Sequence, residues 1–183
     1  MARLNREESV PFMMGITKVN QPMDAAIKHW VALWDYLDGN FWRLWQWAAA
    51  NLTPDQVAWQ PYAWVASIGW NLHHLGEMLD YYLAHVFDQG PPVQREPLRT
   101  MESGNRDDGR YRDLQAIATY QRQVRPAYRA FLTGLTVADL DRVIERQGRR
   151  SITYAWAIGH VAEHESYHVG KCMLLRNLLP ERV

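Results

Sequence analysis

Trp30-Val-Ala-Leu33-Trp34-Asp-Tyr-Leu37-Asp-Gly-Asn-Phe41-Trp-Arg-Leu44-Trp45-Gln-Trp-Ala48 is the stretch on which the fold turns. Its numbered positions are apolar and step by three and four, the period of a helix that buries one face. Asn51-Leu-Thr-Pro54 ends it, because proline disfavours the helical conformation in the residue before it. Asp55 to Tyr62 reads as a connector punctuated by Pro61.

The same period returns three times. Val65 to Phe87 carries Ile68, Leu72, Leu75, Leu79, Tyr82 and Val86 on one stripe, with Ser67 placed to cap it. Tyr111 to Leu132 carries Leu114, Ala118, Gln121, Val124, Tyr128 and Phe131, with Pro126 expected to kink it. Ser151 to Leu178, stopped by Pro180, is apolar on most sides, as expected for a helix covered by its neighbours or by a second subunit. Between the second and third helices, Gly90-Pro91-Pro92 opens a long polar loop reaching roughly Arg110. Thr136 to Leu140 reads as one capped turn, and Arg142 to Gly148 is the only place where strand alternation is conceivable. Residues 1–20, with Pro11 and Gly15 and no period, read as an irregular arm, leaving 21–183 as one domain. Four helical periods without a sheet predict an all-α four-helix bundle.

Composition narrows the function classes. The 183 residues carry 20 basic and 20 acidic side chains, so the chain lacks the positive balance of a nucleic-acid binder. One cysteine, Cys172, excludes an intrachain disulfide. The charged opening MARLNREESV is unlike a secretory leader, and no apolar run approaches the ~18 residues of a membrane span. A cytoplasmic protein without membrane or nucleic-acid partners is expected. The 9 Trp and 9 Tyr, beside 7 His, offer material for a pocket wall.

Five of the seven histidines fall in two places: His73 and His74 on the second helix, and His160, His164 and His168 on the fourth. Four residues turn a helix by about 400°, so the face drifts by about 40° per step along the ladder. Two of these three rings can share one ion easily, and i, i+4 spacing is a common way for a helix to offer two metal nitrogens. His164 and His168 are the preferred pair. Isolated imidazoles in an apolar helix are costly to desolvate without partners. His29 and His85 read as ordinary polar residues. By letter, His164-Glu-Ser-Tyr-His168 matches HExxH and His160-Val-Ala-Glu-His164 matches the inverted form. The metzincin extension fails, because Lys171 stands where glycine is required and little chain remains downstream for a third ligand.

Ser67-Ile-Gly-Trp-Asn-Leu-His-His74-Leu, followed by His160-Val-Ala-Glu-His164-Glu-Ser-Tyr-His168-Val-Gly170-Lys, resembles the DinB-like superfamily of metal-binding helical bundles. The resemblance covers all four helices, from about residue 22 to 179. It implies a three-histidine site for one divalent metal, zinc or nickel, at His74, His164 and His168, with His73 as the adjacent runner-up. Val169 and Lys171 stand where such proteins commonly have Arg and Gln. The resemblance further implies a metal-dependent enzyme acting on a small-molecule substrate, a thiol-dependent S-transferase or a hydrolase, with a low-molecular-weight thiol as possible co-substrate. The alternative is a non-catalytic metal- or ligand-binding stress-response bundle. Three protein ligands leave an open position, the arrangement of catalytic zinc. Glu163, Glu165 and Tyr167 are candidates for acid–base work beside the metal. Trp70, Trp156 and Tyr81 are candidates for a pocket wall, and Cys172 reads as a small buried hydrophobe. The apolar fourth helix and the tryptophan excess point to a homodimer.

Overall fold

A computed structural model describes residues 22–93, 110–146 and 148–180. The N-terminal arm and most of the loop before Arg110 lie outside the described residues.

The chain is helical, as the periodicity requires. Helix α1 spans Ala25–Leu44 and continues through a wider π turn, Trp45–Ala49. Its buried stripe is Ile27, Val31, Trp34, Leu37, Phe41 and Leu44, while Leu33 is exposed. The apolar face is therefore set slightly to one side of the one read from spacing alone. The connector holds a short helix, α2 (Pro54–Ala58), which the sequence reading passed over. Its signal was present: Thr53 and Gln56 form a reciprocal capping box, and Pro54 occupies the first helical position, where its missing N–H costs nothing.

Helix α3 spans Ile68–Tyr81 and runs on through a π turn, Tyr82–Val86. Ser67 caps it, its hydroxyl accepting from the Trp70 N–H at 3.1 Å. Helix α4, Leu114–Thr133, is capped by Asp113 and runs unbroken through Pro126. The expectation of no strand needs a small correction. Val143–Ile144 (β1) pairs antiparallel with Ile152–Thr153 (β2), Val143 opposite Thr153. Because Ile152 and Thr153 are used in this hairpin, the last helix, α5, begins at Tyr154 rather than Ser151 and ends at Leu178. Thr153 caps it, accepting from the Trp156 N–H at 3.2 Å.

In cross-section α3 packs against α4 and α5, and α1 against the same two, so α1 and α3 occupy opposite corners of the bundle. Two apolar clusters fill the interior. One gathers Ile27, Leu79, Phe87, Tyr128 and Ile158; the other gathers Phe41, Leu72, Leu75, Cys172 and Leu175. A polar layer separates them, to which every long helix contributes: Asp38, His74, Gln121 with Arg125, and Glu165 with His164 and His168. Arg125 is 2% exposed. Its guanidinium bonds Asp38, the Glu165 carboxylate at 2.8 Å and the Gln121 amide oxygen at 3.4 Å, and lies 3.9 Å over the Phe41 ring. Gln121 in turn donates to the Leu72 carbonyl at 2.5 Å. A buried cation with this many partners meets the condition under which such a group is tolerated in a core.

Two glycines let α3 approach its neighbours closely. A Cβ at Gly76 would stand 2.7 Å from the Tyr120 ring and 2.9 Å from Gln121 Nε2 on α4. A Cβ at Gly69 would meet the Tyr111 carbonyl oxygen at 1.8 Å. The glycine of the Ser-Ile-Gly segment is thus a packing requirement.

Candidate metal centre

Ser67 fixes where α3 begins, and counting from it places Asn71 and His74 on the side turned toward α5. Thr153 does the same for α5, whose i, i+4 spacing turns His164 and His168 toward α3. The three imidazoles converge. Ring centroids lie 4.9 Å apart for His74–His164, 4.8 Å for His74–His168 and 4.4 Å for His164–His168. One ring nitrogen from each lies within 4.8 Å of the others, and the His74 and His164 Nε2 atoms are 3.2 Å apart. With metal–nitrogen bonds of about 2.05 Å, the edge of a tetrahedral site is about 3.3 Å.

The surroundings keep these rings neutral and aimed. Burial, reinforced by the neighbouring His164, holds His74 down to about 3. Burial, with His160 next, lowers His164 to about 4. Burial, with His164 and His74 beside it, lowers His168 to about 2. Neutral imidazole is the form that binds a metal. His168 donates through Nδ1 to the Asn71 Oδ1 at 2.6 Å, which leaves its Nε2 lone pair free. Asn71 is itself tethered, its amide donating to the Ala66 and Ser67 carbonyls at 3.2 and 2.7 Å. Trp70 stacks on His74 with centroids 4.5 Å apart. By contrast, the buried Nδ1 of His164 has no hydrogen-bond partner among the described residues. Three imidazoles converging from two helices, with two of their Nε2 atoms 3.2 Å apart, are costly to desolvate together and poorly explained by packing alone. The donor set fits a divalent ion.

The other candidates are sorted by helix phase. His73, adjacent in sequence, turns about 100° away from His74. Its Nε2 lies 3.2 Å from Glu77, and its ring packs on Tyr111 and Tyr120. His160 stacks on Trp156 at 5.1 Å, with its Nδ1 3.5 Å from Glu163. Glu165, the glutamate of the HExxH match, is turned about 100° from His164 toward α4, where its carboxylate accepts from Arg125 at 2.8 Å rather than facing the histidines. Glu163 is exposed. Tyr167 lies edge-on to His168 at 5.0 Å but stands largely in solvent. Cys172 is fully buried and burial pushes its thiol up, so it is inert packing. Sequence reasoning missed Asn71. Its signal was an amide three residues before His74, on the same face of the helix.

A cavity of about 640 Å³ lies elsewhere, between α3 and α4. The one that reaches the histidines holds about 620 Å³ and is lined by His74, His164, His160, Trp156, Tyr81 and the β1–β2 loop. Trp156 and Tyr81 therefore do wall a pocket, and Trp70 belongs to the buried side of the site.

The family profile described as the DinB superfamily matches residues 40–172, which takes in α3, α4 and the histidine ladder. The chain belongs to the DinB superfamily. Two solved structures share this DinB fold. A conserved protein from Enterococcus faecalis superposes with a TM-score of 0.66 at 14% identity, over 86% of this chain and 98% of its own. YfiT from Bacillus subtilis, described as a probable metal-dependent hydrolase with an unusual four-helix-bundle topology, gives 0.63 at 16% identity, over 90% of this chain and 94% of its own. No curated protein matches by sequence. No helix of the described residues is long and apolar enough to cross a membrane.

Proposed function

We propose that this DinB-superfamily protein is a metal-dependent enzyme that holds one divalent ion, zinc or nickel, on His74, His164 and His168 and acts on a small molecule by thiol transfer or hydrolysis. The observation that carries the reading is the convergence of three neutral rings at the wall of a cavity, with the Nε2 atoms of His74 and His164 3.2 Å apart. YfiT, a solved structure of the same fold, is described as a probable metal-dependent hydrolase.

His74, His164 and His168 would hold the ion, which when bound would supply Lewis acidity able to lower the pKa of a water or thiol toward neutrality. The chain supplies the rest. Asn71 fixes the tautomer of His168, Trp70 covers one face of His74, and the apolar cluster beneath keeps bulk water from the buried side. His160, held on Trp156 at the cavity wall, is placed to exchange a proton with a substrate. Thiol transfer and hydrolysis both need such a placement, so substrate assays must separate them.

The alternative, a non-catalytic metal- or ligand-binding bundle, draws on one observation: the HExxH glutamate is locked onto Arg125 and unavailable as a base. Metal content per chain by plasma emission tests the site. Replacing His74, His164 or His168 with Ala should strip most of the metal, whereas His160→Ala and His85→Ala should retain it. Full metal in His164→Ala overturns the assignment. Turnover of ester and thiol–electrophile substrates by the loaded wild type, abolished in the same three variants, separates enzyme from binding protein.

The chain is also proposed to pair as a homodimer. Exposed Tyr36 and Trp47 on the α1 side and Met173 on α5 line one groove and support this reading. Light scattering at micromolar concentration giving the mass of one chain would refute it.

A further inference from the structure

The cavity beside the histidines is asymmetric in charge. Its outer wall is the loop joining β1 to β2, which contributes Arg146 and Arg149, with Glu145 as the only carboxylate lining it among the described residues. That carboxylate is engaged, accepting from the Ser151 hydroxyl at 2.6 Å. Among the described residues no ion pair involves Arg146 or Arg149, although Arg112, Arg125, Arg129 and Arg142 all have acidic partners.

Arg146 is also positioned rather than loose. Its Nε and Nη2 donate to the Arg150 carbonyl at 3.1 and 2.9 Å, which fixes one edge of the fork. Its guanidinium carbon lies 5.9 Å from the centroid of the Trp156 ring. From there the contacts run inward: Trp156 stacks on His160 at 5.1 Å, and His160 lies 5.8 Å from His164. A fixed guanidinium without a carboxylate partner, on the wall of a cavity, matches planar anionic oxygen groups by its donor geometry. At about 620 Å³ the cavity has the size of a small-molecule site.

We infer that Arg146 and Arg149 form an anion subsite, so that the molecule bound beside the three histidines carries a carboxylate or phosphate held by the β1–β2 loop while its reacting end faces His164. This rests on the three-histidine reading only for the direction of the reacting end; the anion subsite itself is measurable without metal.

The test uses the full chain, metal-free and zinc-loaded, titrated calorimetrically with succinate, inorganic phosphate and the neutral succinamide. At least one anion should bind at least tenfold more tightly than succinamide in the metal-free protein. The double substitution Arg146→Ala, Arg149→Ala should weaken that binding tenfold or more, with zinc content and circular dichroism unchanged. Arg146→Lys, which keeps charge but loses the fork, should fall between. Whichever anion binds better identifies the substrate group as carboxylate or phosphate. Equal anion binding by the double variant and the wild type overturns the inference, as does absence of binding by both anions to the wild type. Anion binding that persists in a protein unable to take up zinc upholds the subsite and defeats only the metal reading.

Discussion

His74 presents its Nε2 3.2 Å from the Nε2 of His164, although 90 residues of chain separate them. Two lone-pair nitrogens at that separation gain nothing from each other unless a proton or a cation lies between them. One metal would therefore act as a cross-link between α3 and α5, and binding would stabilise the fold by mass action. Zinc at 100 times its dissociation constant should add about 2.7 kcal/mol to the unfolding free energy. Urea denaturation with and without zinc measures this, and the increment should vanish in His164→Ala.

Asn71 should matter nearly as much as a ligand. Asn71→Ala removes the acceptor that fixes His168 and is expected to weaken zinc binding by about 10–100-fold. Competition against a chromophoric chelator gives the constant. An unchanged constant would show that His168 needs no orientation.

Glu165 offers the converse case. Glu165→Ala leaves the buried Arg125 with one charged partner fewer and should cost about 3–5 kcal/mol of stability. Metal content per folded chain should stay at the wild-type value, because the carboxylate faces away from the histidines. Loss of metal without loss of stability would place Glu165 back in the site.

Acid should destabilise the metal-free protein. The unfolded chain takes up protons on its histidines near the ordinary imidazole value of 6.5, whereas in the fold His74, His164 and His168 resist protonation down to about 3, 4 and 2. Each ring's contribution is complete above 6.5 and is lost progressively as pH falls through that value, at a limiting slope on the order of 1 kcal/mol per pH unit per ring. Stability measured from pH 7 to 5 should fall more steeply in the wild type than in the variant with all three rings replaced. Because the rings are already neutral, zinc binding should persist to lower pH than an exposed histidine pair would allow.

Three α-helical glycines, Gly69, Gly76 and Gly170, have contrasting surroundings and should separate cleanly. Gly76→Ala pushes a methyl into Tyr120 and should cost about 1–3 kcal/mol. Gly69→Ala meets a backbone carbonyl and should cost more. Gly170→Ala meets nothing within 4 Å and should stabilise the isolated chain by about 0.5–1 kcal/mol. Thermal unfolding of the three variants tests this ordering.

Much of this was legible in the residues. The apolar period located all four long helices, and Ser67 was readable as a cap because a hydroxyl preceded an apolar run. That neighbouring rungs of the ladder His160, His164 and His168 could share an ion followed from helix geometry, whereas the full set with His74 rather than His73 came from a family pattern. Spacing on one helix cannot say which neighbouring face it meets. The first strand of the hairpin lies in the one stretch, Arg142 to Gly148, where alternation was conceivable, but its partner Ile152–Thr153 escaped because two residues are too few to register, and with it went the true start of α5 and the placing of the loop arginines. The HExxH match said little about Glu165 for a related reason. A letter match ignores phase, and one residue along a helix turns a side chain by about 100°.

That phase has a consequence of its own. Thr153 anchors the start of α5, and from there the helix behaves as a counter: eleven steps bring an imidazole to the α3 side, and the twelfth brings a carboxylate to Arg125. Removing one residue between Thr153 and His164 would advance the count, delivering Glu165 to the place of His164 and Ser166 to the buried arginine. The chain would lose a soft nitrogen donor and a core counter-charge in the same event. What the architecture holds constant here is an integer, and the chemistry of the site depends on it being kept.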